Sequence, residues 1–277
     1  MNKYMFRKIK DRIMVSFAYL ALIIALIPLV SILIETVLRG APAINLNFLT
    51  ERIPPLGQAG GGIGPAIQGT LIVVGIASLI GVPIGVFSGI YLAEFRETKL
   101  ALAARFLTDV STNMPSIVIG IFGWILIVTV IGWSVIAGAF TLAIMMIPIV
   151  TRTTEEAIKL VPVTIREAAL ALGVPRWKTT ITVVLSSAKK GIATGILLSI
   201  ARISGETAPL LLTILGSRFW FSGFTEPTAA LPLTVYNFSQ SPYHIDMARA
   251  WGASLVLILM ILGINAVVRY FTREKYG

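Results

Sequence analysis

The sequence contains no cysteine and a single histidine, His244. Without cysteine there is no disulfide framework, no thiolate metal site and no cysteine nucleophile. One histidine rules out a His-Glu-x-x-His zinc site and leaves a Ser-His dyad a single candidate base, in a loop. Asp11, Asp109 and Asp246 are too scattered along the chain for a paired-carboxylate metal site. Charge is scarce as well: only 13% of the 277 residues are charged, against ~25% in ordinary soluble domains. There is no Gly-X-Y period, no low-complexity tract and no internal repeat, so fibrous and disordered classes are excluded. The Gly-rich run 57–64 lacks the following Lys-Ser/Thr of a phosphate loop, and no other segment carries a nucleotide-binding signature.

Apolar side chains are what the sequence has in excess. They make up 56% of the chain, and the mean hydropathy is +0.87. A transmembrane helix needs roughly 20 apolar residues to cross ~30 Å of hydrocarbon. Uncharged or nearly uncharged stretches predict six spans, at about 13–37, 64–93, 104–129, 133–151, 191–215 and 250–270. The third and fourth are separated by a break around Gly132. The expected fold is therefore all-α, one transmembrane domain built as a six-helix membrane bundle. The first apolar stretch follows a basic start and precedes Ala41-Pro42-Ala43, yet it is too long for the ~7–15-residue core of a cleaved signal, so an uncleaved span is expected.

The net charge of +10 invites a nucleic-acid reading. The basic residues lie between long uncharged stretches rather than in one patch, and topology explains them better. With the N-terminus inside, eighteen Lys and Arg residues fall on the inner side; Arg39, Arg52, Arg218 and Arg249 are the four outside. By the positive-inside bias both termini are expected in the cytoplasm of a cell-membrane protein. Two outside stretches, 40–62 and 217–248, are rich in turn residues or interfacial aromatics, and the segment 152–190 is cytoplasmic.

That cytoplasmic segment reads as helical. Thr164 and Glu167 match a capping box, Ala168 to Leu172 are good helix formers, Gly173 stops the helix and Pro175 starts the next. The result is a helix of two to three turns whose small side chains allow close docking in a groove. A second feature is a charged pair inside the fifth span. Arg202 and Glu206 lie near its middle, where a charge costs ~2.5–3.5 kcal/mol on insertion scales. Their i, i+4 spacing puts them on one helix face, with Ser199, Ser204 and Thr207 nearby. One reading is a structural ion pair joining helices. The other is a translocation path in which the guanidinium meets an oxyanion by paired hydrogen bonds while the glutamate moderates the attraction.

The run from Glu167, Ala168 and Ala169 to Gly173 resembles the EAA loop of permease subunits of ATP-binding-cassette (ABC) importers, with Val183 and Leu185 in the expected places and Ser186 where that pattern carries proline. The stretch from Ala201 to Thr213 resembles the matching span of phosphate-specific (Pst) permeases of the PstA type. Residues 60–70, 113–120, Leu231-Pro232 and Ser241-Pro242 resemble the same family. This resemblance implies a type I importer bundle with a cytoplasmic coupling helix between spans 4 and 5. It implies a transport subunit rather than an enzyme, with ATP and Mg bound by a partner. The implied partners are a second permease (PstC type), two ATPase subunits (PstB type) and an extracytoplasmic phosphate-binding protein (PstS type). Arg202, Glu206, Ser204, Thr207, Asp109 and Asn113 are the candidates for the substrate path, and Glu167, Ala168, Ala169 and Gly173 for ATPase coupling. Other oxyanions (sulfate, molybdate, phosphonate) on the same architecture, or a passive anion channel, are the alternatives.

Overall fold

A computed structural model describes residues 3–272. The described residues form helices and connecting turns only. In chain order they are α1 (Lys3–Gly40), α2 (Leu46–Thr50), α3 (Gly64–Glu94), α4 (Lys99–Thr112), α5 (Ser116–Gly123), α6 (Thr129–Ile131), α7 (Val135–Lys159), α8 (Val163–Ala171), α9 (Arg176–Thr179), α10 (Leu185–Ser204), α11 (Ala208–Thr213), α12 (Leu231–Ser239) and α13 (His244–Thr272). Single π-helical turns, Trp124–Val128 and Thr180–Val184, join α5 to α6 and α9 to α10. The end of the bundle that carries α8 is termed inner and the opposite end outer.

Helices α3 and α7 form the central seam. Gly81, Gly85 and Gly89 recur every fourth residue and so share one face of α3. A Cβ on Gly85 would lie 2.6 Å from Cβ of Val150, and one on Gly89 2.6 Å from the Thr151 carbonyl. The stripe thus lets two membrane helices approach at backbone distance, the usual way such helices gain packing without a hydrophobic driving force. Around the seam Val73, Ala77, Leu142, Met146, Val150, Ile203 and Ile214 form one buried core. A second cluster at the outer end gathers Phe48, Ile63, Leu231 and Phe238, and a third at the inner end gathers Ala93, Ile158, Val161 and Val184. By contrast α1 is exposed along most of its length and touches the bundle near Gly40, which abuts Trp251 and Leu255 of α13.

Five continuous helical stretches are long and apolar enough to cross a membrane, at Arg7–Ala43, Gly64–Glu94, Val135–Lys159, Arg176–Ser204 and His244–Tyr270. Among the described residues, α4 and Ser116–Ile131 are apolar enough only when taken together, and they turn by 106° at their junction. The straight third span expected at 104–129 is therefore broken. Pro115 lacks an N–H and pushes Met114 out of the helical region, which ends α4 and starts α5 in a new direction. The break expected at Gly132 is present: that glycine has φ +84°, and Ser134 then caps α7, accepting from the Ala137 N–H at 3.2 Å.

The fifth span also differs from expectation. Its helix begins at Arg176, because the π turn carries it through 180–184 without a stop, and it ends at Ser204 rather than near 215. A proline ring clashes with the carbonyl four residues back, so Pro209 bars a helix continuing through Gly205. The outside stretch 217–248 is less open than its composition suggests. It contributes α12, whose Leu231, Leu233 and Phe238 are buried, and the last span begins at His244 rather than 250. Replacing Gly85 by leucine should drive the side chain into Val150 and destabilise the fold by ~1–3 kcal/mol, read as a lower unfolding temperature of the detergent-solubilised chain. An unchanged midpoint would show that the seam is not closely packed.

Candidate functional site

Arg202 sits in the last turn of α10, and Glu206 in the break that follows. The two are not on one continuous helix, as their spacing suggests, yet the break keeps them together: Arg202 Nε lies 3.8 Å from Glu206 Oε1. That is ion-pair contact without a hydrogen bond. The Arg202 side chain is 47% exposed and that of Glu206 16%. The guanidinium therefore stands on the surface of the bundle with donors to spare, in a chain whose exterior is otherwise largely apolar. Such a charge facing lipid is costly, so it belongs toward water or protein.

The neighbouring hydroxyls divide. Ser204 is buried and donates to the Ile200 carbonyl at 2.7 Å, while Ser199 does the same to Ile196 at 2.7 Å. Both are engaged within α10. Thr207, at the N-cap of α11, is half-buried and makes no side-chain cap bond, so its hydroxyl is left beside Glu206 in the chain. The break itself is buttressed from α5: a Cβ on Gly120 would meet Cα of Pro209 at 2.8 Å. Helices α5 and α11, which follow the two breaks, thus touch.

Asp109 and Asn113 do not join this pair. Asp109 faces Arg152 of α7 at 3.7 Å, and the Asn113 amide donates to the Asp109 carbonyl at 2.8 Å. Arg152 belongs instead to an inner charge cluster that sequence reasoning missed. At its centre is Glu155, fully buried, which accepts from Arg105 Nε at 3.1 Å and Nη2 at 2.8 Å and pairs with Lys159 at 2.7 Å. Arg105 also donates to the Leu92 carbonyl at 3.3 Å. Close by, Arg166 Nη1 of α8 pairs with Glu94 Oε1 of α3 at 2.5 Å. The one signal available was the pair Glu155-Glu156 at an apolar helix end with Lys159 one turn on.

The coupling segment has the expected shape and one altered detail. Helix α8 runs for nine residues, and Pro162 holds the N-cap position with no side-chain cap, so the Thr164–Glu167 box is not formed. Proline at that position excludes a threonine cap two residues later. The stop is as expected: Gly173 has φ +78°, its N–H meets the Leu170 carbonyl at 2.9 Å, and the Val174 N–H meets Ala169 at 3.2 Å, the paired bonds of a Schellman end. Ala169 is buried, whereas Glu167, Ala168 and Gly173 are exposed. Leu160, Val163, Leu172 and Trp177 expose 65% or more of their surface around this helix.

At the outer end, Asp246 and Arg249 form a buried latch. Asp246 accepts from the Gly57 N–H at 2.8 Å, from the Ser241 hydroxyl at 2.6 Å and from Arg249 Nη1 at 2.8 Å. Arg249 Nη2 in turn donates to the carbonyls of Gln58, at 2.6 Å, and Gly60. The Gly-rich loop is thereby fixed to the start of α13 rather than left as the flexible lead-in its glycines suggest. The residues just before that loop, Ile53, Pro54 and Leu56, line an outer cavity of about 430 Å³, to which Arg218, Asn237 and Gln240 contribute polar groups.

Comparison with known proteins accounts for this architecture. Residues 81–274 match the family described as binding-protein-dependent transport system inner membrane component. The phosphate transport system permease protein PstA of Yersinia pestis is 41% identical, over 99% of this chain and 94% of its own length. The PstA 1 protein of Mycobacterium tuberculosis (strain ATCC 25618 / H37Rv) is 38% identical, over 97% of this chain and 90% of its length. Among solved structures, a bacterial alginate ABC transporter in complex with a pentasaccharide-bound periplasmic protein aligns with a TM-score of 0.67 at 16% identity, covering 95% of both chains. The MetNI methionine ABC transporter, in an inward-facing form, aligns with 0.59 at 15% identity, over 76% of this chain and 98% of its own. The chain belongs to the binding-protein-dependent inner membrane permeases and, within them, to the phosphate transport system permeases of the PstA kind.

The latch makes a stability test. Asp246→Ala leaves the Arg249 guanidinium buried without its carboxylate, which should cost ~3 kcal/mol or more. Limited proteolysis should then cut between residues 57 and 60 at a protease concentration that spares the wild type. Equal cleavage of both would remove the latch from the account of the loop.

Proposed function

We propose that the chain is the membrane half of an ATP-driven importer of inorganic phosphate, with Arg202 and Glu206 on the route of the anion. The observation that carries the site is the loose pair beside a helix break, with Arg202 half-exposed. A guanidinium bound tightly to its glutamate would have no donors for a substrate, and one buried in a dry cluster would have no access to it. At 3.8 Å and 47% exposure Arg202 has both. Its planar fork suits a tetrahedral oxyanion, with two charge-assisted hydrogen bonds to one phosphate edge. Glu206 competes for the same guanidinium and limits how long the anion is held, as conduction requires. Thr207 adds a hydroxyl that no cap uses. Ser204 is assigned to the helix instead, and Asp109 and Asn113 to the inner charge cluster.

The remaining roles rest on the family. The exposed surface of α8, with Glu167, Ala168 and Gly173, docks into an ATPase subunit of the PstB type, which binds ATP and Mg. A PstC-type permease covers the Arg202 face, and a PstS-type binding protein delivers phosphate to the outer end. The inner end is cytoplasmic, in keeping with the excess of Lys and Arg on that side.

In vesicles holding the reconstituted complex, radiolabelled phosphate should enter only with internal or external ATP on the ATPase side, and sulfate or molybdate should not compete. Arg202→Gln should cut uptake about tenfold or more, the loss of one or two hydrogen bonds to a charged ligand, while the complex still co-purifies. Uptake equal to that of the wild type would remove Arg202 from the route. Competition by sulfate would assign another oxyanion. For the coupling surface, Ala168→Trp places a large ring on an exposed small-residue position, so the ATPase should no longer co-purify while the two permeases remain together. Retention of the ATPase would place its docking elsewhere.

A further inference from the structure

Helix α8 hangs from the bundle by very little. Its backbone bonds are local, to Pro162 at one end and to Gly173 and Val174 at the other. Only Ala169 of its nine residues is buried. Among the described residues, the one side-chain hydrogen bond or ion pair that joins α8 to another element is Arg166 Nη1 to Glu94 Oε1, at 2.5 Å. Both side chains are about four-fifths shielded, 21% and 22% exposed, so solvent screens this pair far less than an open surface bridge.

Glu94 is the last residue of α3, the helix at the centre of the seam. Two residues earlier the Leu92 carbonyl accepts from Arg105 of α4, and the same guanidinium holds the buried Glu155 of α7. One polar chain thus runs from α8 through α3 and α4 to α7. Both of its carboxylate–guanidinium contacts are incomplete: Arg166 Nη2 is buried without a hydrogen-bond partner, and Glu155 Oε2, also without one, has only the looser ion pair with Arg152 Nη1 at 3.8 Å. A rigid brace would satisfy every arm. Spare arms in a shielded site let the pairs exchange partners when helices shift, as expected of an element with two arrangements.

We infer that Arg166 and Glu94 are positioning residues through which a displacement of α8 is delivered to α3, and from there through Arg105 and Glu155 to α7. This rests on the reading of α8 as the ATPase-coupling helix. Neither residue touches the anion; their work is to make ATP closure and opening of the path one event. A motion applied to α8 without this tie would be taken up in the turns at Pro162 and Gly173.

The test uses the full reconstituted complex and the ratio of phosphate transported to ATP hydrolysed, measured on co-purified assemblies. Glu94→Gln and Arg166→Gln should each lower that ratio about fivefold or more, the low end of typical coupling between sites, with ATP hydrolysis retained. The double exchange Glu94→Arg with Arg166→Glu should bring it back to within about twofold of the wild type, since the pair is re-formed with reversed polarity. A role limited to folding would lower the yield of complex and leave the ratio unmoved. Single variants with the wild-type ratio, or a double exchange no better than the singles, would overturn the inference. Wild-type complex that moves no phosphate would instead count against the substrate assignment, and the same ratios taken with the anion it does move would still decide the tie.

Discussion

The approach of α3 to α7 is the contact on which the other features depend. Three glycines on one face remove the side chains that would hold the two helices apart, and Val150, Thr151 and Thr154 occupy the space. Because the seam is made at backbone distance, the ends of both helices are brought into fixed relation. At the inner end the Leu92 carbonyl of α3 accepts from Arg105, which also holds Glu155 of α7, and Glu94 of α3 pairs with Arg166 of α8. At the outer end the first N–H groups of α7 are taken by carbonyls of Thr213, Glu226 and Phe224, which fixes the segment after α11. Side chains at these positions on α3 would separate the helices and with them both sets of polar contacts.

Two of the helical paths are interrupted, and the helices that follow the two breaks pack together. Pro115 turns α4 into α5, Pro209 prevents α10 from running on, and Gly120 rests against Pro209. Backbone groups freed by such breaks are tolerated at membrane depth where protein or a water-filled passage surrounds them. Arg202 and Glu206 flank Gly205 at the second of these breaks. Had α10 continued as a regular helix, Glu206 would lie one turn above Arg202 on the same stripe. The break instead keeps Glu206 mostly shielded and leaves Arg202 open.

Much of this was legible in the sequence, for physical reasons that differ by element. Membrane helices are written as uncharged runs of the right length, so α3, α7 and α13 appear close to where they fold. The stop at Gly173 was legible because a positive φ favours glycine. What the sequence hid were effects that depend on three-dimensional partners. A π turn has no compositional mark, so the start of the helix through 176–204 was placed fifteen residues late. The Thr164–Glu167 box satisfied a local pattern, but Pro162 had already taken the capping position. The burial of Glu155 and Asp246 leaves little local trace, since each is held by an arginine, fifty and three residues away respectively. For the candidate site, the pairing of Arg202 with Glu206 was visible from spacing, but the roles of Ser204 and Asp109 were not, because hydroxyls and carboxylates declare their partners only in the folded chain.

The charged groups of the membrane-spanning part therefore divide by how completely they are neutralised. Asp246 and Arg249 satisfy one another and four further backbone or hydroxyl groups, which is the arrangement of a fixed structural lock. Glu155 and Arg166 are shielded, but each keeps one arm without a hydrogen bond, that of Glu155 facing Arg152 at 3.8 Å. Arg202 is neither shielded nor hydrogen-bonded to its glutamate. The energetic cost of leaving a charge unsatisfied rises with burial. Full satisfaction suits a loop that must stay in place, and partial satisfaction in a shielded site suits contacts that exchange. An open, loosely paired guanidinium keeps its hydrogen-bond donors available. The gradient from lock to tie to open pair is set by how far each charge is buried and how fully it is paired.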